Sequence, residues 1–228
     1  KDALAEDTAL VTIMYANNEI GTIEPLPELH QVISEFSKLR KKKVFFHSDA
    51  CQAAGALDLD VEKLGVDLMT INGSKIYGPK GVGVLYIRRG TPIEALIHGG
   101  GQERNLRSGT ENVAAIIGLA TAVALAQVDR EEENKRLIHL RDKLIAGILK
   151  SIPKSRLNGH QEKRLPNNVN TTLLDVEGEA MLLYLDEYGI QAATGSACDS
   201  ATLDPSHVIV ALGLPYEFAH GSLRFTLG

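Results

Sequence analysis

The sequence has few cysteines, and this scarcity excludes two kinds of protein. Its 228 residues contain only Cys51 and Cys198, which lie far apart in the chain. Two distant cysteines form neither a disulfide framework nor a CxxC metal site. Such cysteine usage is typical of a reducing compartment, and we therefore expect a cytoplasmic protein.

The sequence also lacks a strong excess of positive charge and a long apolar run. The formal net charge of −5 gives no reason to expect nucleic acid or an anionic membrane as a partner. No run approaches the roughly 18 apolar residues of a membrane span, and no signal-peptide pattern stands at the start. With 44% hydrophobic and 23% charged residues, the composition is that of a globular protein with a sizeable core.

Strands alternate with helices in the first half of the chain, which predicts an α/β domain with a largely parallel sheet. The near-continuous apolar run at 9–17 predicts a strand that is buried on both faces. A helical repeat of apolar residues follows at 27–43. Further strands are predicted at 44–50, 67–73 and 81–89. The short turn before the last of them also allows an antiparallel pair.

The second half has a different character. A long helical stretch begins at about Glu111, and we expect it to break near Val128–Asp129, where its apolar part meets a densely charged part. Beyond it we predict a strand at 167–174, a helix at 178–189, a loop at 194–206 and a final strand at 222–228. These elements predict two domains, an α/β domain at 1–125 and a smaller α+β domain at 126–228. Because the chain starts at Lys1 and stops directly after a strand, we expect a piece of a longer protein.

Polar residues follow three of the predicted strands. The strands end at "NNE" (17–19), "HSDACQ" (47–52) and "NGSK" (72–75), which carry amide, carboxylate and amine groups. In open α/β sheets, ligands bind at the carboxyl ends of the strands. These residues are therefore candidates for a ligand site, although polar strand ends are also common for structural reasons.

Asp49 and Lys75 are the residues at this edge with the most specific chemistry. Asp49 follows two phenylalanines, so we expect it to be partly buried, either capping the next turn or pairing with a protonated cofactor ring. Lys75 is followed by Ile76, which does not fit the GxxxxGK[ST] pattern of a phosphate loop. A buried lysine can instead form a Schiff base, and pyridoxal phosphate needs both a lysine and an acid.

Cys198 lies in the small-residue segment "TGSACDSA", a setting typical of an exposed loop. An exposed thiol becomes a nucleophile when nearby cations lower its pKa, although free cysteines more often pack in cores. Cys51 directly follows a predicted buried strand, and we interpret it as a packing residue near the site.

Two further segments suit anions. "HGGGQERNLRSGTEN" (98–112) opens the long helix, where backbone N–H groups favour phosphate and Thr110 is a candidate N-cap. Arg224 lies in an apolar strand between Leu223 and Phe225. It is either an edge-strand charge or a bidentate clamp for a carboxylate, and the apolar neighbours favour the clamp.

Together these segments closely resemble the cysteine desulfurases, the NifS/IscS-like branch of the class V aminotransferases of fold type I. The resemblance covers nearly the whole chain, in family order, in "ANNEIGT", "HSDACQAAG", "VDLMTINGSKIYGPKGVGVLYIRR", "HGGGQERNLRSGTEN", "LPNNVN", "TGSACDSA" and "HGSLRFTLG". It implies a homodimeric enzyme that uses pyridoxal 5′-phosphate to convert L-cysteine to L-alanine. It also implies a partial large domain that lacks its amino-terminal part, so we expect this stretch to be inactive alone.

The resemblance assigns roles around the cofactor. Lys75 would form the Schiff base, Asp49 would pair with the pyridinium nitrogen, and Gln52 would bond the ring hydroxyl. Thr110 would reach the phosphate of the neighbouring subunit's cofactor. Family members commonly have Ser-Gly-His-Lys where this chain has Asn72-Gly73-Ser74-Lys75. Asn72 and Ser74 can still donate hydrogen bonds to the phosphate, but the imidazole is absent.

The remaining implied roles concern the substrate. Asn18 would position substrate and cofactor, and Arg224 would hold the substrate carboxylate. Cys198 would accept the sulfur as a persulfide and pass it to an acceptor or scaffold protein for iron–sulfur cluster assembly or tRNA thiolation. A selenocysteine lyase is the nearest alternative, and a non-catalytic, partner-binding relative of the fold is another.

Overall fold

The structure, a computed structural model, describes residues 2–195 and 205–228. The chain divides into two compact units. The first unit comprises Lys1–Tyr15 and Glu24–Asp129, and the second comprises Ala16–Ile23 and Arg130–Gly228. The predicted domain division at 1–125 and 126–228 stays a prediction.

The first unit contains a four-stranded sheet. Its strands are β1 (Leu10–Met14), β2 (Phe45–Asp49), β3 (Leu68–Asn72) and β4 (Gly83–Ile87), in the order β1-β2-β3-β4. The first three strands are parallel, and β4 pairs antiparallel with β3. This arrangement confirms the predicted α/β fold class and the antiparallel pair that the short turn allowed.

Two helices of the first unit lie between the strands of this sheet in the sequence. They are α1 (Leu26–Arg40) and α2 (Val61–Leu64). Pro27 lies in the first turn of α1, where a missing N–H costs nothing. The helix α2 begins after Asp60, whose carboxylate accepts hydrogen bonds from two backbone N–H groups, and ends at Gly65 with a φ of 70°.

The two faces of this sheet differ in burial. Phe46 and Ser48 are fully buried on one face, together with Met69 of β3. On the opposite face Met14 is 41% exposed, and Asp49 is exposed as well. The predictions that β1 is buried on both faces and that Asp49 is partly buried are therefore wrong. Successive strand residues point to opposite faces, and the described residues bury only one of them.

The predicted break in the long helix is also wrong. The helix α3 runs without interruption over Val113–Ser151. Neither Val128 nor Asp129 is a helix breaker, and the surrounding alanine, glutamate, lysine and arginine residues favour helix. The helix contains an 18-residue window with a mean hydropathy of 1.5, which is long and apolar enough to cross a membrane. The expectation that no run approaches the length of a membrane span is therefore wrong by this hydropathy criterion. Core helices of globular proteins can meet the same criterion.

The helix α3 begins at Val113, three residues after its predicted N-cap Thr110. The side chain of Asn112 accepts a hydrogen bond from the backbone N–H of Ala115, at 3.2 Å. Thr110 therefore lies outside the helix, and its predicted capping role is wrong. Both residue types cap well, so the start of the helix decides between them.

The second unit contains a three-stranded antiparallel sheet and short helices. Its strands are β5 (Ser155–Leu157), β6 (Asn168–Leu173) and β7 (Ser222–Thr226), in the order β5-β6-β7. The helices are α4 (Gly178–Glu187), α5 (His207–Ala211) and α6 (Tyr216–His220). Ile20 packs against Ile209 and Ala219, which makes the segment Ala16–Ile23 part of the core of this unit.

Candidate active site

The first unit brings most of the predicted cofactor residues to one edge of its sheet. Asp49 ends β2, and Asn72 ends the neighbouring parallel strand β3. Half-buried Gln52 lies in the turn after β2, and Lys75 ends the short 3₁₀ turn Gly73–Lys75 after β3. Since parallel strands end at the same edge, these groups form the ligand-binding position expected of an α/β sheet.

Asp49 has a local structural role at this edge. Its Oδ1 atom accepts a hydrogen bond from the backbone N–H of Cys51, at 2.9 Å. This bond corresponds to the capping role that the sequence left open. The side chain is exposed, so the carboxylate is also accessible to a ligand.

The pKa of the Cys51 thiol depends on burial and on the charges of Asp49 and Lys75. Burial, together with the hydrogen bond and charge of Asp49, raises the pKa of this thiol to about 12, while the Lys75 ammonium acts in the opposite direction. The thiol is therefore protonated at neutral pH, as expected for a packing residue that is not a nucleophile. Both Asp49 and Lys75 act on this one thiol, so both charged groups lie close to it.

The turn that carries Lys75 is fixed by its own residues. The side chain of Asn72 accepts hydrogen bonds from the backbone N–H and the hydroxyl of Ser74, both at 2.9 Å. A Cβ on Gly73 would lie 2.8 Å from the backbone oxygen of Pro79, so only glycine fits there. Ser74 and Lys75 are both exposed on this turn.

A cleft of about 530 Å³ opens beside these residues. It is lined by Cys51, Asn72, Ser74 and the loop 80–83, among others. Its size lies within the usual range for small-molecule sites. The Ser74 hydroxyl, the Asn72 amide and the Lys80 ammonium supply groups that suit an anionic ligand.

His47 belongs to the candidate segment 47–52, but the sequence assigned it no individual role. Its Nδ1 atom lies 2.6 Å from the hydroxyl of Thr12, and its Nε2 atom lies 2.9 Å from the hydroxyl of Thr70. Burial lowers the pKa of His47, and the nearby Asp49 carboxylate partly opposes this. The signal was its position two residues before Asp49, on the same face of β2.

Thr110 and Cys198 are two further residues that the sequence predicts at this site. Thr110 is exposed in the segment that leads into α3. Cys198 lies outside the described residues. The roles predicted for both residues stay predictions.

The second unit brings Asn18 and Arg224 together. The Nη1 atom of Arg224 donates a hydrogen bond to the backbone oxygen of Asn18, at 3.1 Å. The backbone of Arg224 also pairs with Ala193. The buried Nε atom of Arg224 has no hydrogen-bond partner among the described residues. A buried N–H without an acceptor is costly, and a bound carboxylate would satisfy it.

Known proteins with this fold include fold type I enzymes. A solved structure of a NifS-like protein matches 99% of this chain with a TM-score of 0.87 and 38% identity, and the match covers 57% of that protein. A solved structure of SspA in complex with cysteine matches 99% of the chain with a TM-score of 0.76 and 31% identity, over 60% of its own length. The mixed sheet therefore confirms the predicted partial fold type I architecture.

The sequence comparisons define the family. The aminotransferase class-V family model matches residues 1–228, and the chain belongs to this family. It is 52% identical over 230 residues to the cysteine desulfurase IscS of Clostridium botulinum, which confirms the predicted resemblance. The match covers all of this chain but 56% of that relative, so the chain spans about half the length of the curated relatives it matches.

Proposed function

We propose that the protein to which this chain belongs is a pyridoxal 5′-phosphate-dependent cysteine desulfurase. The observation that carries the proposal is the position of Asp49 and Lys75, which both act on the Cys51 thiol at the carboxyl edge of the sheet. A carboxylate and an amine at this edge are the two groups that a pyridoxal cofactor requires. The relatives named cysteine desulfurase support the same activity.

The residues present fit the cofactor. When bound, pyridoxal 5′-phosphate would stabilise negative charge that develops on the substrate. The Lys75 amine would hold it covalently, the Asp49 carboxylate would accept a hydrogen bond from the ring N–H and so keep that nitrogen protonated, and Gln52 would bond the ring hydroxyl. Hydroxyl and amide groups of Asn72, Ser74 and, in a homodimer, the neighbouring subunit's Thr110 would bind the phosphate.

Two residues of the second unit would bind the substrate. The Arg224 guanidinium would hold the carboxylate of L-cysteine, because its buried Nε–H has no acceptor among the described residues. Asn18 would help to orient substrate and cofactor, since its backbone is bonded to the same arginine.

Cys198 would take the sulfur. Its thiolate attacks the substrate sulfur, an S–S bond forms, and the C–S bond of L-cysteine breaks. The thiol of Cys198 becomes a persulfide, and the substrate carbon gains a proton and leaves as L-alanine. A sulfur-acceptor or scaffold protein for iron–sulfur assembly or tRNA thiolation would then take the persulfide sulfur.

The test uses the full-length protein loaded with cofactor. L-cysteine should yield L-alanine and a persulfide on Cys198, and Cys198→Ala should abolish both products. Lys75→Ala should remove the visible absorbance of the lysine-bound cofactor, whereas Lys63→Ala, which removes an exposed lysine paired with Asp58, serves as the control. Turnover that survives Cys198→Ala would exclude the proposed mechanism, and a strong preference for selenocysteine would indicate a selenocysteine lyase.

A further inference from the structure

The turn that carries Asn18 presents its backbone oxygens to side chains from the rest of the second unit. It lies in the segment Ala16–Ile23, and Asn18 is half-buried between the buried residues Asn17 and Glu19. Within the turn, the Asn17 side chain accepts hydrogen bonds from the backbone N–H groups of Glu19 and Ile20, at 2.8 and 3.0 Å. The backbone oxygens of the turn remain available to donors from β6 and β7, and these donors determine where Asn18 lies.

Two consecutive backbone oxygens of this turn are bonded by two residues that are paired across strands. The Asn170 side-chain amide donates a hydrogen bond to the backbone oxygen of Glu19, at 3.1 Å. The Nη1 atom of Arg224 donates one to the backbone oxygen of Asn18, also at 3.1 Å. Asn170 of β6 lies directly opposite Arg224 of β7, and the side chains of such a pair extend from the same face of the sheet. Asn170 and Arg224 therefore hold one turn from one face.

Asn170 and Arg224 form the closer of the two kinds of antiparallel pair. The backbone N–H and the backbone oxygen of Arg224 are both bonded to Ala193, at 2.7 and 3.0 Å, and so are directed away from Asn170. In a pair without mutual backbone bonds the Cα atoms lie about 4.5 Å apart, and the side chains are closer than in a hydrogen-bonded pair. Truncation of the Asn170 side chain therefore changes the immediate surroundings of the Arg224 side chain.

The orientation of the Asn170 amide is fixed by Asn158. Asn170 is fully buried, and its Oδ1 atom accepts a hydrogen bond from Nδ2 of Asn158, at 2.8 Å. The same Nδ2 group donates a second hydrogen bond to the hydroxyl of Thr172, at 2.7 Å. Because Asn158 supplies the donor, Asn170 presents its oxygen to Asn158 and its NH₂ group to Glu19. The amide cannot turn over without losing both bonds.

We propose that Asn170 is a positioning residue for the Arg224 guanidinium and thereby for the carboxylate of the substrate. Asn170 fixes the turn whose Asn18 oxygen engages Nη1 of Arg224. The guanidinium edge formed by Nε and Nη2 is then available for two parallel hydrogen bonds to a carboxylate, and the buried Nε has no other acceptor in the part of the chain that the structure describes. The role of the carboxylate rests on the proposed function, whereas the hold of Asn170 on Arg224 does not.

The test compares a ligand that has a carboxylate with one in which a neutral amide replaces it. The full-length, cofactor-loaded protein is titrated with L-alanine and with L-alaninamide, and the change in cofactor absorbance gives the dissociation constant of each. The ratio of the two constants measures the preference for a carboxylate. The variants are Asn170→Ala, Arg224→Ala and the double variant. Thr172→Val is the matched control, because it removes a buried hydroxyl of the same strand that is bonded to Asn158 and not to the turn.

We expect Asn170→Ala to lower the preference for L-alanine over L-alaninamide about five- to tenfold, because a misplaced guanidinium no longer aligns both of its hydrogen bonds. The dissociation constant of L-alaninamide should stay within about twofold of the wild-type value. Arg224→Ala should remove most of the preference, and in that background Asn170→Ala should lower it no further, since both residues act on one interaction. Thr172→Val should keep the wild-type ratio.

The proposal is overturned if Asn170→Ala leaves the ratio unchanged, if Thr172→Val lowers it equally, or if Asn170→Ala lowers it just as much without Arg224. A wild-type protein that does not prefer L-alanine overturns it as well. Should Asn170→Ala fail to fold, Asn168→Ala removes the other side-chain bond to the same Glu19 oxygen and must show the same selective loss. A wild-type protein that forms no persulfide from L-cysteine, combined with a lowered ratio in Asn170→Ala, would refute the proposed function and leave the positioning role intact.

Discussion

Polar side chains are exposed at the sheet edge of the first unit and buried in the second. Asp49, Ser74 and Lys75 are exposed on their turns, where each can meet a ligand. In the second unit, Asn170 is fully buried and Glu19 is 2% exposed. The first arrangement suits chemistry with a bound molecule, whereas the second fixes the backbone.

Arg164 shows what the buried groups of the second unit do. It is 3% exposed, and its guanidinium donates hydrogen bonds to the backbone oxygens of Ile20, Asn158, His160 and Asn168, at 3.1 to 3.2 Å. Burial and the charge of Arg141 together lower its pKa to about 10, so the group remains protonated at neutral pH. Its donors are directed to backbone oxygens, which makes it a structural arginine, unlike Arg224 with its unsatisfied buried Nε.

The largest expected effect concerns Cys51, the thiol at the exposed edge. With a pKa of about 12, its alkylation near pH 8 should be on the order of 10³-fold slower than that of an exposed cysteine, because the thiolate reacts. Asp49→Asn removes a negative charge that favours the protonated thiol, so it should lower the pKa and speed alkylation. Iodoacetamide labelling against pH, in a Cys198→Ser background, measures both effects.

Rapid labelling of Cys51 near neutral pH would contradict the prediction that burial and Asp49 keep its thiol protonated. So would a slower reaction in Asp49→Asn. Ser74→Ala provides the matched control, since it alters the same edge without changing its charge.

The second-largest expected effect is a difference in the free energy of unfolding between one variant in each unit. Asn170→Ala removes bonds to the Glu19 backbone oxygen and to the Asn158 side chain, at 3.1 and 2.8 Å. It removes one hydrogen bond from each of two buried groups that keep a second partner, Asn168 and Thr172 respectively, and we expect a loss of about 1 to 3 kcal/mol in the free energy of unfolding. Ser74→Ala in the first unit should change it by less than about 0.5 kcal/mol. Urea unfolding of both variants measures the difference, and equal losses would show that the comparison is wrong.

The smallest expected effect is the pH dependence that His47 contributes. The pKa of His47 is lowered in the folded state. In the unfolded chain its imidazole therefore binds a proton as the pH falls through about 6.5, whereas in the folded protein the imidazole is still largely neutral at that pH. Stability should therefore decrease as the pH falls below this value. The free energy of unfolding at pH 7 and pH 5.5 should differ less in His47→Gln than in the wild type, and an equal difference would exclude His47 as the cause.

The sequence predicted the first unit better than the second, for a physical reason. Strands β1 to β4 are short apolar runs, and such runs are local signals that need no knowledge of the partner strand. The edge residues Asp49 and Lys75 followed from those strands. The exposure of Asp49 could not be predicted from the sequence, because the two phenylalanines before it do not indicate which face of the sheet is covered.

The second unit depends on contacts that leave no local pattern. Strand β5 has three residues, which is too short for a recognisable alternation. All six residues of β6 are buried although several are polar, so hydropathy understates its burial. The bonds of Glu19 to Asn168 and Asn170 join residues 149 and 151 positions apart. Distant pairs of this kind are not encoded in any window of the sequence.

The place of the segment Ala16–Ile23 in the second unit has a consequence for synthesis. Its partners on β6 leave the ribosome only after 151 further residues, roughly 8 to 30 s later at usual rates of translation. Until then Ala16 and Ile20, both buried in the finished fold, remain in water. We therefore expect a nascent chain to complete the second unit last and to offer this segment to chaperones during that interval.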